Sequence, residues 1–186
     1  MIPLMGPVND QKPRRRPYTS ATRDESARRT RQSIVSTAGT LFVERGYAST
    51  SLADIASAAG VARPTVFAAF GSKTALLRHV LDQALAGDDE PVPVAERPWF
   101  RPVWDATTPA AVLDAYADVC LVIARRAAPL FEVVRRAADD AAEAAELWGV
   151  LQDNRRAGAR MVVTHALELD ADGTPAPDAD APTDIV

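Results

Sequence analysis

The chain has 186 residues, a formal net charge of −4, 47% hydrophobic residues and one cysteine. That length suits one globular unit or a small module joined to a larger one, and the single Cys120 excludes a disulfide framework or a cysteine-based zinc site. The longest strongly apolar stretch, 119–124, is too short to span a membrane, and residues 1–17 lack the apolar core of a secretory signal, so we expect a cytoplasmic protein.

The first half of the chain predicts a basic arm and four helices. Residues 1–22 are rich in Pro and Arg and favour a disordered arm. Apolar residues at 34, 35, 38, 41 and 42 then fall on one face of a helix, which Gly46 ends. Three shorter helical patterns cover 51–58, 63–70 and 72–86, with opening signals at Thr50 or Ser51, at Pro64 and at Ser72.

The second half predicts a loop, two helices and a tail. Four prolines within 87–102 exclude regular structure through most of that segment, and Trp99 and Phe100 are expected to anchor its far end. Residues 109–169 are Ala-rich and helical, and Pro129 is expected to divide them into helices near 109–127 and from 129 onward. We divide the chain into an arm (1–22), a first domain (23–71), a helical domain (72–170) and an acidic tail (171–186). No β-type alternation appears, so the fold class is all-α.

The charge is divided between the two halves. Residues 1–80 carry 12 Lys and Arg against 5 Asp and Glu, a net of +7, whereas residues 81–186 carry 9 against 20, a net of −11. Such asymmetry is typical of a basic binding module joined to a different unit.

The segment 50–77, TSLADIASAAGVARPTVFAAFGSKTALL, predicts a helix-turn-helix. Two short helices that cross steeply need a small residue at the crossing and a turn residue that tolerates positive φ. Ala56 and Gly60 supply these four residues apart, flanked by apolar residues that recur on the second helix. The alternative is a compact helical hairpin with a glycine turn that binds nothing.

Several polar residues around this motif suit DNA. The second helix would expose Arg63, Thr65 and two alanines, leaving Val66, Phe67 and Phe70 for the core, and Arg63 could reach a guanine edge or a phosphate. Lys73, at the start of the next helix, suits a phosphate contact. The arm could place Arg14, Arg15 and Arg16 along the DNA, although a solvated tail is the alternative.

The segment 30–77 resembles the N-terminal domain of TetR/AcrR-type transcriptional regulators, with FVERGY before the motif, IA..AGV within it and F..FGSK after it. The resemblance implies a three-helix DNA-binding domain followed by a helical bundle for ligand binding and dimerisation. It also implies that Thr50 or Ser51 bonds a phosphate, that Arg63 and Thr65 lie on the recognition helix and that Lys73 holds a phosphate. Gly46 and Tyr47 would close the first helix against the motif.

Three positions depart from this family. Phe67 stands where Tyr is frequent, and Ala69 where His or Tyr is frequent, so two phosphate-bonding groups are lost. Ala62 replaces a common serine at the cap of the recognition helix, which forfeits about 1 kcal/mol. DNA binding should therefore depend on Arg63, Thr65, Lys73 and the arm. The candidate DNA-binding residues are Arg14, Arg15, Arg16, Thr50, Ser51, Ala62, Arg63, Thr65, Phe67 and Lys73.

The acidic half is expected to hold a small, largely apolar effector. On a helical wheel, six residues from Leu147 to His165 fall near one line, with two polar groups on an apolar stripe. The alternative is that both polar groups are ordinary core residues or that the stripe meets a partner helix. The candidate ligand-binding residues are Trp104, Tyr116, Cys120, Phe131, Trp148, Leu151, Asn154, Met161 and His165.

We expect neither an enzyme nor a metal or cofactor site. The acidic run 139–146 fits a solvated helix face, and the spacing of a di-iron bundle, a phosphate loop or a catalytic serine elbow is missing from the sequence. In the resembled family the last two helices form the dimer interface, and TDIV at 183–186 looks like the opening of the first of them. Because the sequence stops there, the alternatives are a naturally short protein, a truncated sequence, or dimerisation through other surfaces. We expect a homodimer.

The sequence thus predicts a regulator that binds a double-stranded DNA operator and is released as a repressor by a small apolar ligand. The alternatives are an activator, a regulator without a ligand, or a helical adaptor whose motif does not bind DNA.

Overall fold

The computed structural model describes residues 20–173, and every regular element in that range is helical, which confirms the all-α prediction. The elements are α1 (Ser20–Arg45), α2 (Leu52–Ala58), α3 (Arg63–Phe70), α4 (Lys73–Ala86), a short 3-10 helix (Val94–Glu96), α5 (Arg101–Asp105), α6 (Pro109–Ala137) and α7 (Ala142–Gly173). Arg14, Arg15, Arg16 and the segment 183–186 lie outside the described residues. Within residues 20–173, no helix combines the length and the apolarity that crossing a membrane requires.

The predicted opening signals begin the short helices. Ser51 caps α2 through a complete capping box with Asp54, and Ser72 caps α4 by accepting a hydrogen bond from the amide of Ala75 at 3.0 Å. Ala62 opens α3 without a side-chain hydrogen bond, as the missing serine predicts. Gly60, in the turn between α2 and α3, has φ of +69°, so the helix-turn-helix needs glycine there.

Pro129 does not break the second half as the sequence predicted. Helix α6 runs without interruption from Pro109 to Ala137, and the chain turns only at 138–141. A proline inside a helix costs about 3 kcal/mol because it lacks one donor and crowds the preceding turn. Leu130, Val133 and Val134 follow it on the buried face of α6, and their burial outweighs that cost.

Two hydrophobic cores lie along the hairpin formed by α6 and α7. The first combines α1–α4 with the end of α6 and the start of α7, so the helix-turn-helix shares one core with the turn of the hairpin. Its residues include Ile34, Phe42, Ile55, Val66, Leu77, Val134 and Leu147. The second core, at the opposite end of the hairpin, contains Phe100, Val103, Val112, Val119, Val162 and Ala166. Phe100 is 4% exposed and contacts the half-buried Trp99, so these aromatics anchor the loop as predicted.

Candidate nucleic-acid interface and adjoining cleft

Helix α3 presents one face to solvent and packs the other on α1, α2 and α4. Val66 and Phe70 are buried, whereas Ala62, Arg63 and Thr65 are exposed. Phe67 is 63% exposed, so the expectation that it joins the core is wrong. The eight-residue helix places only Val66 and Phe70 toward the core, since Phe67 follows Val66 by 100° around the axis. Phe67 therefore adds an apolar group to the solvent-exposed face of α3.

The two residues before α2 have different roles. Thr50 is 1% exposed, and its hydroxyl donates to the carbonyl of Gly46 at 2.8 Å, so it ties the end of α1 to α2. This hydroxyl is turned inward and does not suit a phosphate contact. Ser51 is exposed, and its Oγ donates to Asp54 and accepts from the Asp54 amide. Of the two candidates, Ser51 is the one that an approaching phosphate can reach.

Lys73 begins α4 at the edge of the same surface. Its ammonium donates to the carbonyl of Tyr47 at 2.8 Å and lies 4.0 Å from the centre of the Tyr47 ring. Partial burial lowers the pKa of Lys73. The ammonium has three donors, and the bond to Tyr47 uses one of them, so it is held beside the N-terminus of α4 with donors to spare.

A hydrogen-bond chain that the sequence did not reveal connects this corner to α7. Thr74 is buried, and its hydroxyl lies 2.6 Å from the hydroxyl of Tyr47 and 2.7 Å from a carboxylate oxygen of Glu143. Glu143 stands in the first turn of α7. The sequence alone could not show that Tyr47, Thr74 and Glu143 contact one another, because they are far apart in the chain. The contact joins the start of the hairpin's second helix to the residues around Lys73.

Arg31 of α1 is a second residue that the sequence analysis missed. Its Nη1 donates to the carbonyl of Ala69, in the last turn of α3, at 2.9 Å, and its Nη2 lies 3.2 Å from Nε2 of His79. The guanidinium also lies 4.4 Å from the centre of the Phe70 ring. A signal was present, because Arg31 precedes Ile34 and Val35 by three and four residues and so extends the buried face of α1.

A cleft of about 1460 Å³ opens between α1, α4, α6, α7 and the loop after α4. Its apolar wall comes mainly from α6 and α7, and charged side chains of α1 and α4 lie opposite. Six of the nine candidate ligand-binding residues line it, namely Tyr116, Cys120, Phe131, Leu151, Asn154 and Met161. Burial of the Tyr116 phenol raises its pKa.

The other three candidates lie elsewhere. Trp104 and His165 line a smaller surface pocket and contact each other edge-on, with ring centres 5.4 Å apart. Trp104 donates its indole N–H to the carbonyl of Ala95 at 2.7 Å, and Nε2 of His165 is buried without a partner among the described residues. Trp148 packs against the first core instead of facing the cleft. The helical wheel placed His165 by its direction along α7 alone, and the neighbouring α5 decided what covers it.

The loop after α4 closes one side of the cleft and is tied at two points. Arg97 is 4% exposed and donates to both carboxylate oxygens of Asp88 at 2.6 Å. Arg28 of α1 donates to the two carboxylate oxygens of Asp89 at 2.8 and 2.7 Å and to Glu90 at 3.2 Å. The loop is therefore joined to the first helix by charge-assisted hydrogen bonds.

These ties predict a pH dependence of stability. The Arg28 guanidinium lowers the pKa of Asp89 from 3.8 to about 2. Because the pKa of Asp89 is lower in the folded than in the unfolded chain, Asp89 stabilises the fold fully above about pH 4. This stabilisation is lost as the pH falls through about 2. We expect Arg28→Gln to lower the melting temperature at pH 7, and the difference from the wild type to become much smaller at pH 2. Arg29→Gln, whose pair with Glu25 is on the exposed surface, is the control, and a difference as large at pH 2 as at pH 7 would contradict the assignment.

Comparison with known proteins identifies the N-terminal helices. The family model for bacterial regulatory proteins, tetR family, matches residues 34–80, which span the second half of α1 to the middle of α4. The HTH-type transcriptional regulator TtgR and the probable HTH-type transcriptional regulator ArpR, both of Pseudomonas putida, are each 43% identical over 58 residues. Each match covers 31% of this chain and 28% of the relative. No solved structure matches the chain significantly. Residues 34–80 of this chain are therefore similar to the N-terminal region of the tetR family of bacterial regulatory proteins.

Proposed function

We propose that this protein is a cytoplasmic, sequence-specific DNA-binding transcriptional regulator. The exposed face of α3 carries the proposal, because Ala62, Arg63 and Thr65 face solvent at its N-terminal end while Val66 and Phe70 hold it on the core. A recognition helix contacts base edges with residues near its N-terminus. The match to the tetR family over residues 34–80 and the names of the two relatives support the same function.

The surrounding groups suit the DNA backbone. Ser51 at the start of α2 and Lys73 at the start of α4 flank α3 on neighbouring helix N-termini, where backbone N–H groups favour anions. Ala68 and the partly buried Ala69 have short side chains, which let α3 approach the groove closely. In this arrangement Arg63 and Thr65 read bases, while Ser51 and Lys73 set the position on the phosphates.

The direct test is selection of genomic DNA fragments that the full chain binds. Recovery of a common sequence with two half-sites supports the proposal and gives their spacing. The double variant Arg63→Ala/Lys73→Ala separates a regulator from a helical adaptor. Lost binding with unchanged helicity favours the regulator, whereas a wild-type chain that binds no DNA even at low salt favours the adaptor.

Lys73→Gln should change the salt dependence of binding more than its specificity. Neutralising one phosphate contact lowers the slope of log affinity against log salt by about 1. The expected result is a shallower slope with the same preferred sequence, measured by fluorescence anisotropy over a series of salt concentrations. Arg101→Gln, on the distant α5, should leave the slope unchanged. An unchanged slope in Lys73→Gln would contradict the phosphate contact, and a wild-type slope near zero would contradict phosphate contacts altogether.

We further propose that the protein is a repressor released by a small, largely apolar effector in the cleft. The cleft of about 1460 Å³ is lined by α4 on one side and by α6 and α7 on the other, so a ligand there can displace α4, whose first residue is Lys73. Movement of α4 would change the placement of α3 on DNA. A reporter gene behind a selected fragment separates the alternatives, because a repressor lowers and an activator raises its expression.

Two copies are proposed to act together. One helix-turn-helix reads one half-site, so a dimer gains affinity from two. Four exposed large apolar residues on α6 and α7 do not line the cleft and would supply part of an interface: Leu113, Leu121, Val163 and Leu167. Sedimentation at micromolar concentration tests this, and a monomer mass would refute it.

A further inference from the structure

Arg31 connects the cleft to the end of the recognition helix. Its side chain lines the cleft and also donates to the carbonyl of Ala69 in the last turn of α3. The guanidinium therefore contacts both the place where an effector would bind and the helix that would read DNA. Its second hydrogen-bonded group is His79, a neighbouring residue of the cleft wall.

Both of these hydrogen bonds leave the positive charge of Arg31 uncompensated. The carbonyl of Ala69 is neutral, and Nε2 of His79 can accept from a guanidinium only when the imidazole is neutral. Burial and the nearby Arg31 both lower the pKa of His79, which favours that neutral form. Among the described residues, no ion pair includes Arg31, and its remaining donors are directed at no carboxylate.

The other charged groups of the cleft are largely paired. Arg28 binds Asp89 and Glu90, Asp88 binds Arg97, and Arg156 binds Asp153. What remains on the lining is three guanidiniums and one carboxylate: Arg31, Arg78, Arg155 and Asp82.

Of these four groups, Asp82 and Arg78 are neighbours. Asp82 lies one helical turn from Arg78, and the two interact electrostatically. Arg155 donates to the neutral Gln152 and lies 5.7 Å from the centre of the Phe131 ring. The cleft thus combines an apolar wall on α6 and α7 with an excess of positive charge, and the unpaired cation that contacts α3 is Arg31.

We propose that the cleft binds an amphiphilic organic anion, whose acid group pairs with Arg31 and whose apolar part lies against Ile123, Phe131 and Leu151. The regulatory consequence rests on the function proposed above, but the ligand class does not. A carboxylate that draws the guanidinium toward the apolar wall would lengthen its hydrogen bond to the carbonyl of Ala69, because a charge-assisted bidentate pair is stronger than a hydrogen bond to a neutral acceptor. Binding would therefore remove a donor from the last turn of α3 and loosen the recognition helix.

The ligand class is tested without DNA, by calorimetric titration of the full chain with decanoate, decan-1-ol and decylammonium. We expect decanoate to bind at least about tenfold more tightly than the alcohol, because a hydrogen bond to a charged group exceeds a neutral one. Arg31→Gln should abolish this difference and leave the affinity for the alcohol unchanged. Arg29→Gln is the matched control, because Arg29 lies on the same helix, is exposed and does not line the cleft.

Three results would overturn the proposal. The first is equal affinity for decanoate and decan-1-ol. The second is tightest binding of decylammonium, which would assign the site to Asp82. The third is wild-type affinity for decanoate in a folded Arg31→Gln. Circular dichroism melting checks the fold of each variant. Arg31→Lys provides a second variant, which keeps the charge and should retain part of the preference for the acid if Arg31→Gln fails to fold.

The link to α3 is tested separately on a selected DNA fragment. We expect decanoate to weaken DNA binding by the wild type and by Arg29→Gln, and to leave the affinity of Arg31→Gln unchanged. Equal weakening of all three by decanoate would overturn the link. If the wild type binds no DNA, the function proposed above fails, whereas the calorimetry still decides the ligand class.

Discussion

Replacing Arg63 by alanine is expected to weaken operator binding on the order of tenfold to a hundredfold, since an arginine that reads a base contributes about 1–3 kcal/mol. Its side chain is exposed at the first position of α3, and no ion pair of residues 20–173 involves it. Ala69 and the exposed Phe67 replace polar groups on this helix, so Arg63 and Thr65 carry a larger share of the recognition.

The measurement compares the affinity of wild type and variant for a selected fragment and for unrelated DNA. The loss should be larger on the selected fragment, because base contacts carry the specificity. Arg101→Ala, on the exposed surface of α5, should bind like the wild type. Equal losses on both DNAs would show that Arg63 contacts a phosphate, and no loss on either would remove α3 from the interface.

Phe42→Ala should destabilise the whole described fold by about 3–5 kcal/mol, the typical cost of deleting a buried aromatic side chain. Phe42 of α1 is 0% exposed and lies in the core that also contains Val134 of α6 and Leu147 of α7. In a protein of this size each kcal/mol lost lowers the melting temperature by about 2–4 °C, so the melting temperature should fall by about 6–20 °C. Because the core is shared, we expect one cooperative unfolding transition in urea.

Val43→Ala is the matched control, since Val43 is the next residue of α1 and is 47% exposed. It should change the unfolding free energy by less than about 0.5 kcal/mol. Two separate transitions, of which Phe42→Ala shifts only one, would show that the helix-turn-helix and the hairpin unfold independently.

The helix-turn-helix could be predicted closely because its determinants are local. Ser51, Gly60 and Ser72 act within a few residues of where they stand, through caps and a positive-φ turn. The prediction at Pro129 was wrong because it weighed one lost hydrogen bond without the burial of the residues that follow it. The arm at 14–16 remains a prediction, since it lies outside the described residues, and so do the proposed domain boundaries.

The sequence by itself determined the all-α class, the positions of α1–α4 and the residues exposed at the start of α3, because helical periodicity and capping act locally. Only the tertiary structure decided that Thr50 faces inward, that Phe67 faces outward and that Trp148 joins the first core. It also brought Arg31 to the carbonyl of Ala69 and Glu143 to Thr74. These contacts join residues that are 38 and 69 positions apart in the chain. Local sequence patterns do not determine them, because the packing of the whole core decides which helices lie side by side.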